Sequence, residues 1–260
     1  MSDNIDARAD SAQRFYFVFA IALAAIAFGG FGITYLFPLV TGRFDGPAVL
    51  HVHGALFFTW TLLFVAQSRF ASTSMRTHRA LGLVGISLAT AMVMTALVVI
   101  VSGLSQSVAT GTGDTARALA IVPFTAISTF CVFVALAIAY RRRHEVHKRC
   151  MVMATLALLP PAVARVLFVV FAPAGSGARP SFAAPVPDLG VALRITMAPA
   201  LLIDLLILVP LVYDWRTRGR PHPVYVVGGI ALVLLHVARP FVTHTAAWQG
   251  VAHALIALGH

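Results

Sequence analysis

Apolar residues in this chain do not alternate with polar ones; they come in long runs broken by short polar segments. Seven windows are long enough to cross a hydrocarbon layer of about 30 Å as helices: 14 to 41, 47 to 70, 79 to 104, 116 to 140, 148 to 172, 190 to 214 and 223 to 246. Such runs are about twice a barrel strand and lack its period of two, so the pattern predicts an all-α polytopic membrane bundle of seven transmembrane helices. A polar tail, 1 to 13, precedes the seven-helix domain at 14 to 246. A tail at 247 to 260, suited to an interfacial helix, follows it.

Composition supports the pattern. Of 260 residues, 59% are hydrophobic and 11% charged, against about 25% charged in soluble domains. Nineteen Lys and Arg against nine Asp and Glu would suggest nucleic acid as a partner of a soluble chain. Here the basic residues cluster in short connections, where they set topology instead. Arg8 and Arg14, then Arg69, Arg76 and Arg79, then "RRRHEVHKR" and "RTRGR" share one side under seven crossings. That side is predicted to be cytoplasmic and to touch anionic lipid, with the N-terminus inside and the C-terminus outside. "SGLSQSVATGTGD" and "APAGSGARPSFAAPVPD" would then connect helices on the outside. The polar first 13 residues and the long run after them do not suit a signal peptide, so the first span is expected to stay in the mature chain. Cys131 and Cys150 fall at depths roughly 10 Å apart, too far to bridge.

The chemistry to explain lies in polar residues inside the apolar windows. His53 falls roughly 9 Å below the outer boundary and His236 roughly 15 Å below it, so the two can share a layer. His53, Trp60 and Gln67, spaced by seven, form one seam down the second span. His51 points about 200° away from His53 and is expected to meet water. His222, Gly229 and His236 share a face of the seventh span, with the two histidines about 21 Å apart along the axis. That interval suits planar cofactors stacked across a bilayer. Membrane b-type cytochromes clamp haem iron between imidazoles from two helices. The outer pair, whether for haem b or for copper, would be His53 with His236; an inner site would draw on His222 plus His78 or His147. Arg165 and Arg239 reach the outer layer, where they would bind propionates or snorkel to headgroups. Asp204, near the middle of the sixth span, must be protonated or bonded to a donor such as the Trp60 indole, and is a candidate proton carrier.

Other features carry less. Pro160 and Pro161 should kink the fifth span, and the glycines of "GGFGITY" and "GLVG" should let helices approach closely. "HEVH", His144 to His147, has a metal-binding spacing but lies in a basic loop with only Glu145 as a carboxylate. Lys148, the sole lysine, is placed in that loop, which excludes a retinal Schiff base within a span. No phosphate-binding loop or nucleophile elbow is present.

"HGALFFTWTLLFVAQ", then "HRALG", then "HKRCMVMATLALLPPAVAR" resemble a group of multi-pass bacterial membrane proteins classed as a domain of unknown function. The group is distantly similar to the helical bundles of cytochrome b561 and ferric reductases. The likeness covers the second through fifth spans and brings forward His53, Gln67, His78, Arg79, His147, Met151 and Arg165. It implies the bacterial inner membrane. For function the resemblance implies little; it is the depth-matched imidazoles of two spans that are read as a membrane-embedded b-type haem, or copper, in an oxidoreductase passing electrons between quinone and another acceptor. A proton-coupled small-solute transporter built on Asp204, Arg165 and the histidines is the alternative, and a non-catalytic assembly subunit the third reading.

Overall fold

The structure is a computed structural model that describes the backbone of residues 2–171 and 189–259, and the side chains of 11–171, 190 and 196–259. Helices, with no strand among the described residues, run as α1 (Ser2–Phe31), α2 (Phe37–Val40), α3 (Ala48–Thr73), α4 (Met75–Ala109), α5 (Gly113–Leu119) and α6 (Ile121–Ala139). After these come α7 (His144–Ala157), α8 (Pro160–Phe171), α9 (Leu189–Leu206), α10 (Leu208–Arg218), α11 (Pro223–Val242) and α12 (Ala246–Ala257). A π-helical turn, Gly32–Leu36, joins α1 to α2.

Among the described residues, six helical stretches are long and apolar enough to cross a membrane: Ser11–Val40, Ala48–Thr73, Met75–Ala109, Gly113–Ala139, Thr196–Arg218 and Pro223–Val242. The bent pair α7 and α8 makes a seventh if it is counted as one span. Large apolar side chains such as Leu83, Phe171, Val227 and Phe241 stand exposed around the outside, the surface a lipid solvent requires. The chain is a multi-pass helical membrane protein.

The breaks have sequence causes. Ser74 alone separates α3 from α4; its extended backbone ends one helix, and its hydroxyl accepts from the Thr77 N–H at 3.3 Å to start the next. Pro160 and Pro161 bring no N–H to the carbonyls of Leu156 and Ala157, and α7 and α8 meet at 40°. Pro210 likewise cannot return a bond to Leu206, where α9 gives way to α10. Gly219 ends α10 in the left-handed conformation, φ +76°, with its N–H on the Trp215 carbonyl.

Three expected boundaries are corrected. α4 continues to Ala109, so most of "SGLSQSVATGTGD" is helix, with Leu104 buried against α12. α7 begins at His144, so His144 to Arg149 is a helical turn and Lys148 stands on that helix. α1 starts at Ser2, so the polar tail continues the first helix. α12 is a helix as expected, and it docks on α4 and α5 through Trp248, Ala252 and Leu255. "APAGSGARPSFAAPVPD" lies outside the described residues.

α3 lies between α1 and α4, α6 joins α4 to α7, and α8 and α9 close the circuit between α1 and α11. α7 is the inner helix. From Arg149 to Ala157 every residue but Met151 is buried, and α1, α6 and α11 pack on it. Close approach depends on Gly30, where an added Cβ would run into the Ala162 backbone of α8. At Gly82 and Gly85 of "GLVG" an added Cβ would make only ordinary contact with Gln67 and Leu63 of α3. Both cysteines are free.

Candidate functional site

The packing of α9 on α11 places two titratable side chains against each other inside the apolar layer. His236 Nδ1 lies 2.8 Å from Asp204 Oδ2, and each side chain is 5% exposed. With the carboxyl ionised, Nδ1–H donates to Oδ2; with the proton moved across, the carboxyl O–H donates to Nδ1. One bond therefore accommodates both proton positions. The other carboxyl oxygen, Asp204 Oδ1, is buried without a partner. One turn on, Arg239 is buried, its Nε–H donating to Thr125 Oγ1 of α6 at 2.9 Å, and its charge acts on Asp204. Arg239 does not snorkel. The expected donor for Asp204 is corrected too: the Trp60 indole instead donates to Thr155 Oγ1 at 3.4 Å.

The His53 end of the second-span seam is held differently. His53 lies against Phe57, ring centres 4.2 Å apart, and its Nδ1 is buried without a partner. Arg165 lies within electrostatic reach of it, donates to the Pro161 carbonyl at 2.8 Å and stands 4.3 Å over the Phe31 ring. His51 meets the Tyr35 hydroxyl at 3.0 Å rather than water alone. His53 and His236 thus have separate immediate partners, and their helices have separate main neighbours: α1 and α4 for α3, α7 and α9 for α11.

At the opposite end, the structure brings together the two histidines that the sequence offered as alternatives. The rings of His78, in the first turn of α4, and His147, in the first turn of α7, have centres 6.2 Å apart and planes at 85°. His78 Nδ1–H donates to the Gln67 carbonyl at 3.3 Å and His147 Nδ1–H to the Ala137 carbonyl at 2.8 Å. A carbonyl only accepts, so both neutral rings carry their proton on Nδ1 and present a bare Nε2. Gln67 Nε2 donates to the His78 carbonyl at 3.1 Å, while its Oε1 is buried without a partner. His222 is used otherwise: its Nδ1 caps α11 by accepting from the Val224 N–H at 3.2 Å. Burial and the nearby Arg149 guanidinium hold His222 below the ordinary imidazole range. Among the described residues, no group of three or more His, Cys, Asp or Glu is placed to hold a metal ion.

Sequence reasoning missed the strongest polar cluster. Arg149, 1% exposed, grips Asp214, 0% exposed, with Nε–H donating to Oδ2 at 2.8 Å and Nη2–H to Oδ1. Arg149 Nη1 also reaches Glu145 Oε2 at 2.7 Å, and Glu145 pairs further with Lys148 and Arg218. Tyr16 and Tyr225 hydroxyls, 3.4 Å apart, lie beside it. The available signal was a lone Asp214 beside the basic "RTRGR", facing a basic run that also holds the only nearby Glu. These contacts, with His78 against His147 and Gln13 Nε2 donating to the Ser68 carbonyl, gather the basic segments at one end of the bundle. Comparison of the chain with models of protein families, with curated proteins and with solved structures finds no match.

Proposed function

We propose that the protein is a proton-coupled membrane transporter for a small solute, with Asp204 and His236 as its proton-carrying pair. The carrying observation is the 2.8 Å bond between two titratable side chains sealed in segments able to span a bilayer. A carboxylate there is expensive and is kept where it has a task. Arg239 balances the ionised carboxylate, so the site is near neutral before proton uptake on the bare His236 Nε2, and gains one charge after it. Movement has a place to occur. α9 breaks two residues beyond Asp204, and α8, which packs on α9, meets α7 at the proline bend; broken helices near the midplane are where transporters change access.

The same reading takes the bent pair as one crossing, giving seven. The basic end lies in the cytoplasm and against anionic lipid, the C-terminus lies outside, and the membrane is the bacterial inner membrane. The test is proton uptake by purified protein in liposomes carrying an internal pH dye, under an imposed potential and across a panel of candidate solutes. Asp204→Asn should abolish uptake, and His236→Gln should reduce it at least about tenfold, a loss of about 1.4 kcal/mol. Uptake that persists in correctly folded Asp204→Asn rules the assignment out.

The electron-transfer reading draws support from a different pair than the sequence put first. His78 and His147 have ring centres 6.2 Å apart, and each has its Nδ1–H on a backbone carbonyl, which leaves Nε2 unprotonated; for His53 and His236 the support is only that His53 Nδ1 lacks a partner and His236 Nε2 is bare. A bound haem would supply one-electron chemistry to exchange with a quinone. A reduced-minus-oxidised spectrum tests it; a colourless protein that cannot be reconstituted with haem removes it.

A further inference from the structure

We propose that His78 and His147 form a metal site, taking through their Nε2 atoms a metal centre that brings its remaining donors with it. It gives the electron-transfer reading a centre, but it stands whether or not the protein moves electrons or protons.

Three observations carry it. The first is the tautomer: each Nδ1–H is committed to a backbone carbonyl, Gln67 for His78 and Ala137 for His147, the outer partnership that orients a ligating imidazole and raises its basicity. The second is spacing. Two imidazoles on opposite sides of one metal, with bonds of about 2.0–2.1 Å, have ring centres about 6 Å apart; these stand at 6.2 Å with planes crossed at 85°. The third is the buried Oε1 of Gln67, an acceptor with no donor, on the residue whose carbonyl holds His78. A water or other donor on the metal would satisfy it.

The surroundings restrict the occupant. The described residues supply no third His, Cys, Asp or Glu at metal-binding distance, and the fixed charge acting on His78 is that of Arg79. Glu145, two residues before His147, is already paired with Lys148, Arg149 and Arg218 and so does not serve a bare dication there. The chemistry is that of an imidazole-seeking metal arriving with its own ligands, either a copper- or zinc-class ion holding waters or the iron of a porphyrin, whose acid groups would meet the arginines.

The experiment uses the full chain in detergent after chelator treatment, titrated separately with Cu²⁺, read by electron paramagnetic resonance, and with hemin, read by its Soret band. One equivalent of either probe, with two nitrogens bound, is expected. His78→Gln and His147→Gln, which keep a donor for the carbonyls, should each weaken that probe about 10- to 100-fold, and Gln67→Leu should weaken it less. His244→Gln and His253→Gln, outside the site, should change nothing. Copper alone binding assigns an ion site, and hemin alone a porphyrin site. Binding that survives in the folded double variant His78→Gln/His147→Gln, or folded wild-type protein that takes neither probe, overturns the proposal.

Discussion

His236 and Asp204 stand 2.8 Å apart across the contact of α11 with α9, and Pro240, four residues beyond His236, offers its carbonyl no helical N–H. The pair therefore sits where both helices depart from regular bonding, α9 giving way to α10 three residues after Asp204. Structural and proton-carrying roles of Asp204 separate by substitution. Asp204→Asn keeps an acceptor for His236 and should cost less than about 1 kcal/mol, whereas Asp204→Ala orphans the imidazole and should cost about 1–3 kcal/mol. Unfolding in detergent reads the stability, and liposome uptake, lost in both, reads the function.

The Arg149 to Asp214 ion pair ties α7 to α10 with both groups out of solvent. Asp214→Asn or Arg149→Met alone should cost about 3–5 kcal/mol, because each strands the partner's charge, while Arg149→Met with Asp214→Leu should recover most of that loss. A double-mutant cycle on thermal unfolding measures the coupling. Equal losses from single and double variants would dismiss the stranded-charge account.

Gly29 and Gly30 are neighbours with opposite surroundings. Nothing lies within 4 Å of a Cβ on Gly29, whereas one on Gly30 runs into the α8 backbone at Ala162. Gly30→Ala should destabilise by about 1–3 kcal/mol. Gly29→Ala should be neutral or stabilise by up to about 1 kcal/mol through helix propensity.

His222 makes the start of α11 sensitive to acid. Its folded-state proton affinity is lowered, by burial first and by Arg149 next. As pH falls through about 6.5 the unfolded chain takes the proton before the folded one does. The contribution to stability is thus complete above that pH and is lost below it, and a proton on Nδ1 also breaks the cap on Val224. Melting temperature in detergent should drop between pH 7.5 and 5.5. His222→Asn, which caps without titrating, should flatten that dependence.

The windows from 47 to 70 and from 223 to 246 were legible because apolar run length and flanking basic residues fix a span almost independently of its neighbours; their helices are Ala48–Thr73 and Pro223–Val242. The end of α4 was not legible. Ser102 to Ala109 is polar enough to read as loop, and its helix is held by the docking of Trp248 and Leu255, a contact far along the chain. Depth picked out Asp204 and His236 correctly as interior polar groups, but depth carries no information about rotation around the helix axis. Trp60 was therefore assigned to Asp204, although its indole meets Thr155. Arg149 was hidden for a related reason: one buried arginine among the five Lys and Arg residues from Arg141 to Arg149 is indistinguishable by composition from those that face water.

The inner position of α7 bears on how the chain is assembled. Lateral release from an insertion channel offers a segment lipid, and a helix walled by α1, α6 and α11 gains little from that solvent. Two of its walls are made before it and the third only after α10. Its lodging in the bilayer is consequently a collective, late event, and a nascent chain ending before Pro223 should leave it open to the quality-control proteases of the membrane.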